Sequence, residues 1–359
     1  MKVISLFSGC GGLDLGFSQA GFEVVYANDI DRDVWETYEK NNGISIDRRS
    51  LFDIPSSDIP DADGIVGGPP CQSWSLAGAM RGINDQRGQL FYEYIRIIKD
   101  KQPIFFVAEN VPGMLSRTHL PEFKKIMANM ASLGYSVSYH LYDARDYGVP
   151  QERKRVIVVG YRKDIGMSFS PPLPTHSKFG TTGVDGMKTR KWKTLMDAIG
   201  DLPEAVPALE KNLANPSVKF PNHEYMIGSF STIYMSRNRR RTWNEASFTI
   251  QAGGRHAPLY PDSCPMEKVG QNQWIFTGDT YRRLTVREAA RIQTFMDDFI
   301  FYYTNVAQGY KMVGNAVPVN LANAVALKIR QDLSLMIKGQ ELGHEANLPF
   351  GPSIGLKRL

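Results

Sequence analysis

The chain has 359 residues, 42% of them hydrophobic, and a formal net charge of +5. That length supplies one large core and a smaller second unit, and no apolar run of about 18 residues stands out as a membrane span. The three cysteines, Cys10, Cys71 and Cys264, are too scattered for a disulfide framework or a CxxC zinc pair, and residues 1–7, MKVISLF, lack a secretory pattern, so a cytoplasmic protein without a bound metal is expected.

KVISLF reads as a strand. The following GGLDLGFSQAG puts Leu13, Phe17 and Ala20 on one helical face, with Gly21 as the stop. FEVVYAND is a second strand ending in acid, and GIVGG is a short buried strand. Residues 90–101 form an amphipathic helix through Leu90, Tyr94, Ile95 and Ile98. PIFFVAEN is a strand, residues 121–133 are helical up to Gly134, and RVIVVGY is a final apolar strand. Alternating strands and helices with near-continuous apolar strands predict an α/β fold, a doubly wound, parallel, Rossmann-like sheet. Residues 165–280, rich in Pro, Gly, Asn and Ser, break this rhythm and read as a small irregular domain inserted into residues 1–164 and 281–335. LTVREAARIQTF and VPVNLANAVALKIRQDL are helical again, the second entered at Pro318. Residues 336–359 are expected as a tail, loose over the last twenty.

Three stretches carry chemistry. In FSGCGGLDLGF, Gly9, Gly11 and Gly12 allow close backbone approach between strand and helix. The pattern is neither GxGxxG nor a phosphate loop. Asp29 lies about 20 residues on, where a ribose partner is expected. Together they fit an adenosine cofactor without a pyrophosphate, such as S-adenosyl-L-methionine; the bland alternative is a tight turn and a capping acid. In GGPPCQS, Pro69 and Pro70 fix the backbone before Cys71 at the carboxyl end of a strand. This suits a thiolate nucleophile, set against the common fate of a free cysteine as a small buried hydrophobe. Glu109 ends the next strand, and either caps a turn or shares the crevice with Cys71. Alternation puts Arg153 and Arg155 of QERKRV on one side of a strand. They are either a solvated basic segment or paired guanidiniums facing an anion or a carbonyl oxygen.

FSGCGGLDLGF, GGPPCQSWS, AENVPG, QERKRV, RRLTVREAARIQTF and YKMVGNAVPVN, in this order, resemble the DNA (cytosine-5) methyltransferases over residues 2 to 331. The segment NHEYMIGSFSTIYMSRNRRRTWNEASFTIQAGGR is similar to the target-recognition region of bacterial type II restriction–modification methylases that recognise GGCC. The resemblance implies Cys71 as nucleophile on cytosine C6, Glu109 at N3, Arg155 at the O2 carbonyl and Arg153 supporting the loop. It implies S-adenosylmethionine bound by Phe7, Gly9, Gly11 and Leu13 on the methionine side, Asp29 at the ribose, Ile30 against adenine, and Pro70, Leu90 and Asn315 completing the pocket. Ser50 and Leu51 stand where the family often has an acid for the adenine amino group, with Asp53 as the alternative. QTFM at 293–296 departs from the usual Gln-Gly-Phe-Pro and is expected to be a structural helix. Duplex DNA is the implied partner, the target base being flipped out. A monomer is expected, as is a cognate endonuclease acting on the same site without a stable complex.

In SRNRRRTW and GGRH, guanidiniums suit guanine O6 and N7. Base contact is expected from Arg237, Arg239 and Arg255, backbone contact from Arg240, and strand positioning from Thr249 by its match to a family threonine. Three other functions compete. A tRNA cytosine-5 methyltransferase would carry a Cys-Phe-Thr tripeptide in the target region, and none occurs. A silent DNA-binding regulator would not need Cys71, Glu109 and Arg155 together. A thiol hydrolase would need a histidine in a comparable motif.

Overall fold

The computed structural model describes residues 1–70, 86–181 and 188–345, so Cys71 lies outside the described residues. Strand β1 (Lys2–Leu6) leads through the glycine turn into α1 (Gly12–Gln19). Gly11 starts that helix at φ 94°, a left-handed conformation natural to glycine. Strand β2 (Glu23–Asn28) is followed by α2 (Arg32–Asn42), which is capped by the Asp31 side chain and stopped by left-handed Gly43. Then come β3 (Ile46–Asp47), β4 (Gly64–Gly67), α3 (Gln86–Lys101), β5 (Phe105–Asn110), α4 (Leu120–Ser132), β6 (Tyr135–Asp143) and β7 (Lys154–Arg162).

These strands form one seven-stranded sheet in the order β3-β2-β1-β4-β5-β7-β6. Alternate side chains serve opposite faces, as the strand pleat dictates. Val3, Val66, Val107, Ile157 and Val159 pack with α1 and the C-terminal helix, while Ile4, Leu6, Ile65, Phe106 and Val158 pack with α3 and α4. The expected α/β class is present, with one correction to the sheet. β3, β2, β1, β4 and β5 are parallel, but β7 runs antiparallel to both β5 and β6. The link from β6 to β7 is a short 3-10 turn (Ala144–Tyr147) and loop with no crossover helix, so the two strands must pair antiparallel. β6 itself was not anticipated.

Short pieces fill residues 165–280: β8 (His176–Ser177), β9 (Arg190–Lys191), α5 (Leu195–Ile199), β10 (Val206–Pro207), β11 (Glu224–Tyr225), and the hairpin β12 (Met266–Gly270) and β13 (Gln273–Phe276). Part of this region shares a core with the catalytic unit. Leu195 and Ile199 pack with Val286, Ala289 and Ile292 of α6 (Val286–Ile292) and with Val306 and Val313 of α7 (Val306–Asn315). A separate small core gathers Tyr234, Leu259 and Met266, with Phe230 and Trp274 against it.

Capping boxes Thr285–Glu288 and Asn305–Gln308 start α6 and α7. Two sequence expectations change here. The helix expected through QTFM ends at Ile292, and Thr294 takes φ 64°, a conformation unusual for a β-branched residue. Its hydroxyl donates to Gln293 O and accepts from Asn320 N–H, which holds the turn where the family usually has glycine. The last helix, α8 (Val319–Glu345), continues past the boundary expected at 335. The stretch Val306–Met336 has a mean hydropathy of 1.2 in an 18-residue window, 61% of which is buried inside the protein. It comprises two helices parted at Pro318, with α8 packed along α1.

Candidate active site

A cavity of about 540 Å³ opens at the carboxyl ends of β1, β2, β4 and β5, the end of an α/β sheet where ligands bind. Phe7, Gly9, Leu13, Asp29, Ile30, Ser50, Leu51, Pro70, Leu90 and Asn315 all border it, and so do Glu109, Arg153 and Arg155. Residues spread over most of the chain thus converge on one space.

The glycine turn forms one wall. Phe7 leaves β1 at φ 55°, and Gly9 follows at φ 56° with open space where a Cβ would stand. The Asp29 carboxylate accepts from the Gly9 N–H at 2.7 Å and from the Asp31 N–H at 2.8 Å. Burial raises its pKa, and these two donors oppose that. Gly11 departs from expectation because it does not border the cavity. A Cβ at Gly11 would meet Asn42 Nδ2 at 2.9 Å and the Tyr38 ring at 3.3 Å. It is needed for the turn and for packing on α2. Gly12 borders the cavity instead, and a Cβ there would come within 2.6 Å of Val317 O. Ser50 and Leu51 stand at the expected place, whereas Asp53 is exposed and does not border the cavity. Ile30 is 62% exposed, an apolar side chain held at the rim.

The opposite wall carries the charges. Arg155 Nε lies 2.7 Å from Glu109 Oε1, with both side chains largely buried. Asn110, next along β5, donates from Nδ2 to Pro69 O at 3.2 Å and so tethers the proline loop to the strand that carries Glu109. Sequence reading missed Asn110, although its place beside Glu109 in AENV was a signal. Arg153 is 1% exposed. Its Nη1 donates to Ile250 O at 2.9 Å, and its Nη2 to Gly314 O at 2.9 Å and Ala316 O at 3.0 Å. Burial pulls its pKa well down, and the Arg155 charge adds to this while Glu109 opposes it.

A second cavity of about 200 Å³ lies in the inserted region and is bordered by Glu152, Arg237, Asn238, Arg239, Phe248, Thr249, Gln251, His256 and Pro258. Arg237 and Arg255 are exposed. Arg239 is not, being 5% exposed. It donates to Tyr234 O at 3.0 Å and Ile233 O at 3.1 Å and lies over the Tyr234 ring. The expected base contact from Arg239 is corrected accordingly: its guanidinium is spent on the fold of the 233–239 turn. Arg240 is half-buried, donating to Pro261 O at 2.9 Å. Thr249 hydrogen-bonds to Glu152 O and so docks the inserted region on the loop that leads to Arg153. Gln251 and His256 were not anticipated. Burial lowers the His256 pKa, and Arg239, Arg237, Arg255 and Arg283 lower it further.

The model of the family described as "C-5 cytosine-specific DNA methylase" matches residues 1–331. The chain belongs to the C-5 cytosine-specific DNA methylase family. It is 56% identical over 337 residues to the Type II methyltransferase M.MthTI of Methanothermobacter thermautotrophicus, covering 93% of this chain and 98% of that one. It is 50% identical over 339 residues to the Type II methyltransferase M.NgoPII of Neisseria gonorrhoeae, covering 93% and 96%. Among solved structures, a DNA modification methyltransferase encoded within an E. coli prophage superposes with a TM-score of 0.69 at 25% identity, covering 93% of this chain and 99% of that chain. A methyltransferase of Entamoeba histolytica, 17% identical, shares the fold with a TM-score of 0.64 over 93% and 98%.

This C-5 methylase is an S-adenosylmethionine-dependent DNA (cytosine-5-)-methyltransferase. The cavity suits that cofactor in three respects. Its volume lies in the range of small-molecule sites, its glycine wall is open at Gly9, and the Asp29 carboxylate stands at the end of β2. Among the described residues no cluster of His, Cys, Asp or Glu could hold a metal ion. For Asp29→Ala we expect cofactor binding to weaken by about 1.5–3 kcal/mol, from loss of a charged acceptor, with DNA affinity unchanged. Calorimetric titration of both ligands checks this, and unchanged cofactor affinity would remove Asp29 from the site.

Proposed function

We propose that this methylase modifies C5 of a cytosine within a GGCC duplex site, and that it does so as a single chain protecting DNA from a cognate endonuclease. The observation that carries the catalytic part is the Arg155–Glu109 pair, 2.7 Å apart, in the same cavity as the glycine turn and Pro70. The Type II names of relatives at 50–56% identity support the protective role.

A cytosine C5 is a weak nucleophile, and it is buried inside a duplex, so the base must leave the stack. Cys71, as thiolate, would add to C6 and push an electron pair towards C5. Glu109 would hold or protonate N3, taking up the charge that the addition sends into the ring. Arg155, fixed by Glu109, would donate to O2. Arg153 would hold the neighbouring backbone, since its own donors are occupied. S-adenosylmethionine, held by Phe7, Gly9, Leu13, Asp29, Ile30, Ser50, Leu51, Pro70, Leu90 and Asn315, supplies an electrophilic methyl group. Loss of the C5 proton with elimination of the Cys71 thiolate then restores the aromatic ring. Bisulfite sequencing of duplex DNA treated with the protein tests the proposal: protected cytosines should fall in GGCC and not in altered sites.

Arg237 and Arg255 are the proposed guanine readers, exposed beside the second cavity or near it. Truncating either to alanine is expected to cost about 1–3 kcal/mol of discrimination at one base pair. Arg240→Ala should weaken all sequences alike and reduce the salt slope by roughly one contact. Arg239→Ala should instead lower stability by about 1–3 kcal/mol, because two turn carbonyls lose their donor. Competition binding against singly altered sites, with thermal melts in parallel, separates the three outcomes. Uniform loss from Arg237→Ala would make that residue a backbone clamp.

A further inference from the structure

We infer that Asp14 is a specificity-determining residue of the cofactor cavity: its carboxylate makes the site prefer the cationic sulfonium cofactor to the neutral thioether left after transfer. This rests on the reading above that the cavity holds the cofactor. Asp14 sits in the first turn of α1, is 0% exposed to solvent and borders the cavity. Ser5 Oγ on β1 and Tyr38 OH on α2 each donate to it at 2.6 Å. Both donors are neutral, and among the described residues Asp14 has no cation within ion-pair distance.

The other charged side chains around the cavity are differently placed. Arg49 pairs with Asp47, Lys311 with Asp31 and Asp33, and Arg155 with Glu109, at 2.7–2.8 Å. Asp29 is spent on the backbone N–H groups of Gly9 and Asp31. Asp14 is therefore a buried carboxyl held by hydroxyls alone, an arrangement that costs free energy unless a positive charge arrives. Burial pushes its pKa up to about 6, Asp29 adds to the rise, and the Ser5 and Tyr38 hydroxyls oppose it. The neighbouring Cys10 thiol, pushed up to about 12, stays neutral. Cofactor and product share their ammonium, carboxylate and adenosine groups. They differ by one methyl and one positive charge at sulfur, so a fixed negative charge at the cavity wall acts on that difference. It favours entry of the methyl donor and exit of the spent thioether.

The test measures affinities for S-adenosylmethionine and S-adenosylhomocysteine calorimetrically on the full chain. For Asp14→Asn, which keeps the size and the hydroxyl partners, we expect cofactor affinity to fall by about tenfold and product affinity to change by less than about twofold. Tyr38→Phe, which removes one hydrogen bond and keeps the charge, should preserve the ratio of the two affinities. In the unaltered protein the preference for cofactor should decline as pH falls through about 6, where Asp14 takes up a proton; this needs no variant to fold. Equal losses of both ligands in Asp14→Asn, an unchanged ratio, or a preference flat across that pH range would overturn the inference. Asp29→Ala and Phe7→Ala serve as controls. If neither moves either affinity, the cavity reading itself fails. If they do and Asp14→Asn leaves the ratio intact, only this inference fails.

Discussion

Arg153→Ala is expected to destabilise the protein by about 3–5 kcal/mol and to abolish methyl transfer at temperatures where the native protein is active. Arg153 is a buried cation whose donors reach Ile250 O in the inserted region and Gly314 O and Ala316 O where α7 meets α8. Removing it leaves three carbonyls without that donor and a void the size of a guanidinium. Buried charged networks broken on one side typically cost this much. Arg153→Lys should recover little, because one ammonium cannot reproduce the planar fork. Denaturant unfolding checks the expectation: the midpoint should fall with the slope unchanged. An unaltered midpoint would show that Arg153 does not join the inserted region to the catalytic unit.

Cys71→Ser is expected to reduce methyl transfer by at least roughly a thousandfold, because a serine hydroxyl is far less ionised and far less nucleophilic than a thiolate. Affinities for S-adenosylmethionine and duplex DNA should stay within about twofold. Neighbours of Cys71 that the structure describes support this separation: Pro69 O is tethered by Asn110, and Pro70 borders the cavity independently of the thiol. Single-turnover assays with labelled cofactor make the comparison, and substantial turnover by the serine variant would remove the covalent step from the account.

The parts of the molecule that sequence reading recovered were those fixed by local pattern. Continuous apolar runs gave β1, β4, β5 and β7, and the glycine stops gave the ends of α1 and α4. Parts that depend on tertiary approach were less legible. The turn at residues 9–12 was evident, but which glycine faces the ligand was not, since Gly11 and Gly12 differ only in whether Tyr38 or the cavity lies beyond them. β6 was overlooked although Val137, Tyr139 and Leu141 alternate with Ser136, Ser138 and His140, a period-two signal. The antiparallel course of β7 could have been read from the loop before it, too short for a crossover. In the arginine run, alternation grouped Arg237 with Arg239, yet Arg239 is drawn inward by two carbonyls and the Tyr234 ring. Nothing in the spacing of SRNRRRTW distinguishes the two.

The most direct test of the central claim uses a GGCC duplex with 5-fluorocytosine at the target base. Fluorine at C5 cannot leave as a proton does, so methyl transfer should halt with the protein bound to C6. The account predicts a stable protein–DNA adduct that forms only with S-adenosylmethionine present, maps by peptide sequencing to Cys71, and is absent in Cys71→Ser. An adduct on another residue, or no adduct from a preparation that methylates the unmodified duplex, would contradict it.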